Sequence, residues 1–204
     1  MAIDFFRTSI DNTSLIRGAA RLLWAGTTIT FPDAIEDVIN MSTYNAMTNW
    51  NELGATKTGV QISRNNTEEN FDVDQIIGDI YSAPNSWEVS VGTQLAEMTL
   101  EKLQIAWQGS GVTTDATPGS GSEKELGLGN PTTFIQRRLA VVSKRFDDKI
   151  RAFLFRKVQR MAQESNITYA KTGEQISIPV RFKCLPDLSI ADVDKQFGIV
   201  RDQI

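Results

Sequence analysis

Apolar and polar side chains alternate along much of the stretch Leu53 to Gly109, the period of a half-buried strand. Val60 and Ile62 alternate with Gln61 and Ser63. Arg64-Asn65-Asn66 predicts a turn, after which Phe71 and Val73 face away from Glu68, Asn70, Asp72 and Asp74. Trp87, Val89, Val91 and Leu95 share one face of a third strand, whose reverse carries Glu88, Ser90, Gly92 and Gln94. The spacing then turns helical over 99–108. Thr99 is the expected cap, Glu101 lies in the first turn, Leu100, Leu103 and Trp107 form the apolar stripe, and Gly109 is the stop.

The flanks extend this pattern. Arg21 to Phe31 is rich in β-branched and aromatic residues and reads as a strand that Pro32 ends. Two helical turns are expected over Pro32 to Ile39, with Ile35, Val38 and Ile39 inward and Asp33, Glu36 and Asp37 outward. Asn40 to Glu52 has no period but holds Tyr44 and Trp50, and is expected to order against another copy of the chain. Gly109 to Pro131 reads as a flexible surface loop. Its glycines match neither a Walker loop nor a G-x-G-x-x-G turn. Thr132 to Phe146 and Ile150 to Met161 predict a hairpin about Asp147-Asp148-Lys149, apolar on both faces at its centre, as in a strand covered on both sides. Gln175 to Cys184 alternates with Ile176, Ile178, Val180, Phe182 and Cys184 inward. These elements divide the chain into an N-terminal arm (1–20), a β domain (21–187) holding a long loop over 32–57, and a C-terminal arm (188–204) with Phe197, Ile199 and Val200 free to dock.

Composition narrows the chemistry. At 204 residues the chain can bury a core without disulfides or metals. No apolar run of about 18 residues is present, so no membrane insertion is expected. Nor does the N-terminus resemble a secretory signal, which predicts synthesis in the cytoplasm. The chain has no histidine and one cysteine, which removes the commonest general base and any internal disulfide. Cys184 reads as a small buried hydrophobe. Glu68, Asp72 and Asp74 on one strand face suggest a solvated polar surface rather than a calcium site or an acid–base pair. Ser143 and Lys144 are adjacent in a strand and point to opposite faces. No enzyme, cofactor or metal is expected.

The net charge of −4 hides a separation: residues 1–101 hold 14 acids and 5 bases, whereas residues 132–160 hold 9 bases and 2 acids. Either the two regions neutralise each other within one chain, or one copy's basic edge meets the next copy's acidic edge. Arg137, Arg138, Arg151, Arg156 and Arg160 form the basic hairpin. They suggest a subunit interface more than a nucleic-acid surface.

The segment Trp50-Asn51-Glu52-Leu53-Gly54-Ala55-Thr56-Lys57-Thr58-Gly59-Val60 resembles an opening segment of tailed-bacteriophage major tail (tail tube) proteins. It is followed by Asp72-Val73-Asp74-Gln75, then Leu95-Ala96-Glu97-Met98-Thr99-Leu100-Glu101. Ile178-Pro179-Val180-Arg181-Phe182-Lys183-Cys184-Leu185-Pro186-Asp187 is similar to that family's closing strand. The resemblance implies a β-sandwich or split barrel with one flanking helix, and hexameric rings sharing an inner β-barrel and stacked into a tube that conducts double-stranded DNA. It implies a virion protein of the phage tail, assembled in the host cytoplasm, whose partners are itself together with sheath, baseplate and terminator proteins. Genomic DNA would pass through without specific binding. Glu68, Asn70, Asp72, Asp74, Glu88 and Ser90 are then the expected lumen lining. Tyr44, Trp50, Asn51 and Glu52 form the expected inter-ring loop, and the five arginines the inter-subunit hairpin. The alternatives are a ring at the tube's end, as terminator or baseplate adaptor, or a β-rich DNA-binding packaging accessory.

Overall fold

A computed structural model describes residues 16–71, 81–97, 99–108, 112–115, 123–129, 133–145, 147–161, 166–167 and 176–204. The described residues are mainly β, with one antiparallel main sheet and one α-helix. The central hairpin lies about where the sequence places it, although its first strand begins at Arg137 rather than Thr132. β7 (Arg137–Arg145) and β8 (Ile150–Arg160) pair antiparallel, and Leu139 to Ser143 are buried without interruption. β1 (Ile16–Gly26) lies on the far side of β7, and β2 (Asn51–Glu52) beyond it. On the other side come β9 (Ile178–Leu185), β4 (Tyr81–Leu95) and β3 (Thr56–Phe71). The sheet order is β2-β1-β7-β8-β9-β4-β3, with β10 (Gly198–Asp202) also on β8. The sheet curls until β1 and β3 approach within 8 Å between Cα atoms.

Alternation along these strands sorts two cores onto opposite faces. Leu22, Leu139, Val141, Phe155, Val91, Val180 and Phe182 line the inside of the curl. There α1 (Leu100–Trp107) packs Ile105 and Ala106 against them, with Leu103 and Trp107 at the margin. Leu23, Ala25, Ala140, Val142, Ala152 and Leu154 project from the other face, under a lid made by Ile35, Val38, Ile39 and Trp50. The sheet is therefore one layer with two differently built covers, not two sheets packed face to face.

Several expectations are corrected. β1 begins at Ile16, inside the stretch read as an arm, and ends at Gly26 rather than Phe31. The segment 64–66 is not a turn: β3 continues through it and pairs out to Phe71↔Tyr81. Two helical turns over 32–39 reduce to one 3-10 turn, Ile35–Asp37, although the inward and outward residues are those expected. α1 is capped by Thr99 and ends at Gln108, whose φ of 56° lies in the left-handed region; Gly109 is outside the described residues. Within 109–131, β5 (Val112–Asp115) and β6 (Glu123–Leu126) form a separate hairpin, and Lys124 on β6 pairs with Glu101 of α1.

The C-terminal arm is likewise part of the fold. β10 pairs with Ile150-side residues of β8 from Arg151 to Phe155, while β9 takes Lys157 to Arg160 on the same edge. Phe197 packs inside the curl and Ile199 under the lid. Gly198 permits the junction. It has φ 155°, and a Cβ there would lie 2.0 Å from the Leu154 carbonyl oxygen. Gly198→Ala is therefore expected to detach β10 and cost about 2 kcal/mol or more; urea unfolding compared with wild type measures it.

Candidate assembly surface

Two strands leave the body together. β4 pairs with β9 only from Val89 onward, so Tyr81 to Glu88 pair with β3 alone, and β3 has no other strand partner among the described residues. Asn65 to Phe71 and Tyr81 to Glu88 thus form a two-stranded ribbon about 25 Å long with both outer edges unpaired among the described residues. Pro84 is tolerated in it because the register slips there: Thr67 faces Ser86 and Glu68 faces Pro84, leaving Asn85 as the extra residue of a bulge.

The ribbon's faces differ. Val60 and Ile62 pack toward the core, and strict alternation along β3 places Arg64, Asn66, Glu68 and Asn70 on that same face. Trp87 joins them, 42% exposed, with the Arg64 guanidinium stacked 4.1 Å from its ring centre. Glu68 is held in place there, accepting from Asn66 Nδ2 and Ser82 Oγ, each at 3.0 Å. At the ribbon's base, Ile62, Trp87, Val89, Phe153, Phe155 and Val200 line a groove of about 620 Å³.

The reverse face is polar from Asn65 to the body, with Tyr81 exposed at the ribbon's tip. Glu88 lies opposite Asn65, Ser90 opposite Ser63 and Lys183, and Gly92 opposite Gln61 and Arg181. Ser90 is buried and accepts from Arg181 Nη2 at 3.2 Å. The expected lumen residues are therefore not one surface. Glu68 and Asn70 lie on one face, Glu88 and Ser90 on the other, because β3 runs straight through residues 64–66. Asp72 and Asp74 lie outside the described residues.

The expected inter-ring loop is mostly engaged with its own chain. Trp50 is 7% exposed within the lid core. Asn51 and Glu52 pair with Trp24 and Leu23, and Glu52 forms an ion pair with Arg21. Tyr44 remains 38% exposed at φ 58°, its carbonyl accepting from Arg21 Nη1 and its ring 5.5 Å from Lys144 Nζ.

The basic hairpin divides. Arg151 is bound bidentately by Asp202, with both contacts at 2.6 Å, and that carboxylate holds its pKa above the usual guanidinium value. Arg137 stacks on Trp24 at 4.6 Å and burial lowers its pKa. Burial also lowers that of Arg160. Arg138 and Arg156 both face Phe31, at 5.5 and 3.9 Å from its ring centre. Burial first, and then the neighbouring Arg156 charge, depress the pKa of Arg138. Arg138 Nη2 donates to the neutral Thr27 carbonyl at 3.3 Å, and Arg156 Nε to that of Lys195 at 2.9 Å. Part of the charge separation is thus neutralised within the chain, whereas this pair forms no ion pair among the described residues.

Arg64 as an aromatic partner was obscured by reading residues 64–66 as a turn. The signal was present, since that tripeptide lacks both Gly and Pro and the even-numbered parity is unbroken across it. Cys184 is a buried hydrophobe whose thiol is pushed up to about 12 by burial. Among the described residues no group of three or more His, Cys, Asp or Glu is placed to hold a metal, and no helix is long and apolar enough to cross a membrane.

No protein-family model matches the chain, and no curated protein matches it.

Two measurements check this geometry. Trp50→Ala is expected to destabilise the isolated chain by about 3 kcal/mol, because the indole fills the lid core of the same subunit; an unchanged denaturation midpoint would contradict that packing. Asp187 accepts from Lys157 Nζ at 2.9 Å and from Ser189 Oγ at 2.7 Å, and the Lys157 bond leads in lowering its pKa from 3.8 to about 2. A depressed carboxylate pKa stabilises above the unfolded value and ceases to as pH falls through the folded one. The stability gap between wild type and Asp187→Asn should therefore be full above pH 3.8 and close toward pH 2, as read by urea unfolding across that range.

Proposed function

We propose that this chain is a structural subunit that self-assembles into stacked hexameric rings, forming a hollow tail tube through which double-stranded DNA passes. The resemblance to tail tube proteins supplies the architecture, and the ribbon is the observation that carries the reading. A two-stranded ribbon is at best marginally stable alone in water. This one extends about 25 Å with two unpaired edges, the condition that invites further strands. Closure of neighbouring subunits into a shared barrel pairs those edges and leaves none.

The two ribbon faces then take different roles. The face of Glu88 and Asn65, with Ser63, Gln61, Arg181 and Lys183, is mainly polar apart from Tyr81 at its tip, and is proposed to face the bore; Ser90 lies on it but is buried and held by Arg181. Its cations are few and interrupted by Glu88, so it presents no continuous track for phosphates, whose multiple neutralisation makes DNA binding tight. The face of Trp87 and Glu68 continues the apolar core and is proposed to seat against protein. The exposed side of Tyr44 is assigned to contacts between rings. An obligate interface of this kind buries more than about 2,000 Å².

Electron microscopy of purified protein across concentration tests the assignment. Hollow tubes or closed six-fold rings are the expected particles, with little duplex-DNA binding at low salt. Monomers at every concentration, or tight DNA binding without tubes, would overturn it.

A further inference from the structure

Arg138 and Arg156 are an unusual pair for a chain that is acidic overall. Their strands β7 and β8 are neighbours, both guanidiniums lean on the Phe31 ring, and both side chains are half-buried. They repel each other, and the carboxylate that acts favourably on Arg138, Asp187, is already held by Lys157 at 2.9 Å. The Nε of Arg138 is buried without a hydrogen-bond partner. Elsewhere Arg21, Arg145 and Arg151 all have carboxylates of their own chain. Two partly desolvated like charges, fixed by an aromatic ring and by carbonyls, are arranged to receive an anion.

A complementary group lies on the ribbon. Glu68 has no cation among the described residues, yet two neutral donors, Asn66 and Ser82, fix its carboxylate. It stands beside Trp87 on the face assigned to protein contact. Seating that face against a neighbour would bury the Glu68 charge, which is unfavourable unless a cation meets it.

We propose that Arg138 and Arg156 form a carboxylate clamp for Glu68 of a second copy of this chain. The inference rests on the self-assembly reading and deepens it, naming the charge pair that sets the register between neighbouring subunits. The groups on both sides are held before contact, so the pair selects one orientation of the ribbon over others. A second copy is favoured over nucleic acid because the clamp is two residues deep, backed by an aromatic ring, and does not extend, among the described residues, into a continuous row of cations that could track a phosphate backbone.

Charge exchange tests the pairing. E68R alone and R138E/R156E together should each raise the concentration needed for assembly by about tenfold or more. The triple variant E68R/R138E/R156E should restore assembly, because the pair is re-formed with its signs reversed. Circular dichroism and thermal unfolding establish that each variant is folded; E68Q and R138Q/R156Q replace any that is not, with the same direction of effect expected. Loss in both partial variants without rescue in the triple would overturn the pairing and leave the assembly reading standing, as would assembly of both at the wild-type concentration. Duplex-DNA binding by wild type that R138E/R156E abolishes would reassign the clamp to phosphate. Failure of wild type to assemble under any condition would overturn the clamp and the assembly reading together.

Discussion

One edge of β8 is divided between two strands, and the shape of the molecule follows from that division. Every backbone N–H and C=O in a buried strand needs a partner. β8 meets the requirement with β7 along one side and, on the other, with β10 over residues 151–155 and β9 over residues 157–160. Because two strands occupy one lane, the sheet forks where β9 stops. One branch continues as β1, β7, β8 and β10; the other leaves as the β3–β4 ribbon. The groove between them is lined from both branches, by Phe153 and Phe155 on one side and Ile62 and Trp87 on the other. An open edge in the ribbon and an apolar cleft at its root are thus products of the same backbone constraint.

Charge is distributed in keeping with this layout. Within the body, basic side chains near the fork are mostly satisfied locally: Arg151 and Arg145 by Asp202, Lys157 by Asp187, Arg21 by Glu52. Such partly exposed pairs contribute little stability individually. Their effect is to withdraw many of the basic residues from other partners. The Arg138–Arg156 pair and the ribbon carboxylates stand apart from these ion pairs, and such sparse charges specify orientation better than they add affinity.

The strands were legible wherever one or both faces are buried, because burial imposes the period that sequence displays. β9 alternates without exception, and the four consecutive apolar residues Leu139 to Val142 mark a strand covered on both sides. Legibility failed where the covering group is itself irregular or absent. Trp50 belongs to the lid core, yet nothing in the aperiodic run from Asn40 to Glu52 says which surface it meets. Asn65-Asn66 has the composition of a turn, and in a solvent-exposed ribbon no buried face enforces another reading; only the partner strand from Tyr81 to Glu88 does. β10 was obscured because Phe197, just before it, and Ile199, within it, share one parity in the sequence yet serve opposite cores across Gly198. Glu68 and Glu88 appeared to share a surface because cross-strand register, which separates them, is a long-range property.

The division of β8 also means that a single strand is protected by two barriers of different height. Amides at 151–155 that point toward β10 become exposed whenever the last five-residue strand peels away. Those at 157–160 that point toward β9 are locked until the central sheet itself opens. Local opening at the fork would uncover the Phe153 side of the groove without disturbing Val158, so the cleft can open while the inside of the curl stays closed.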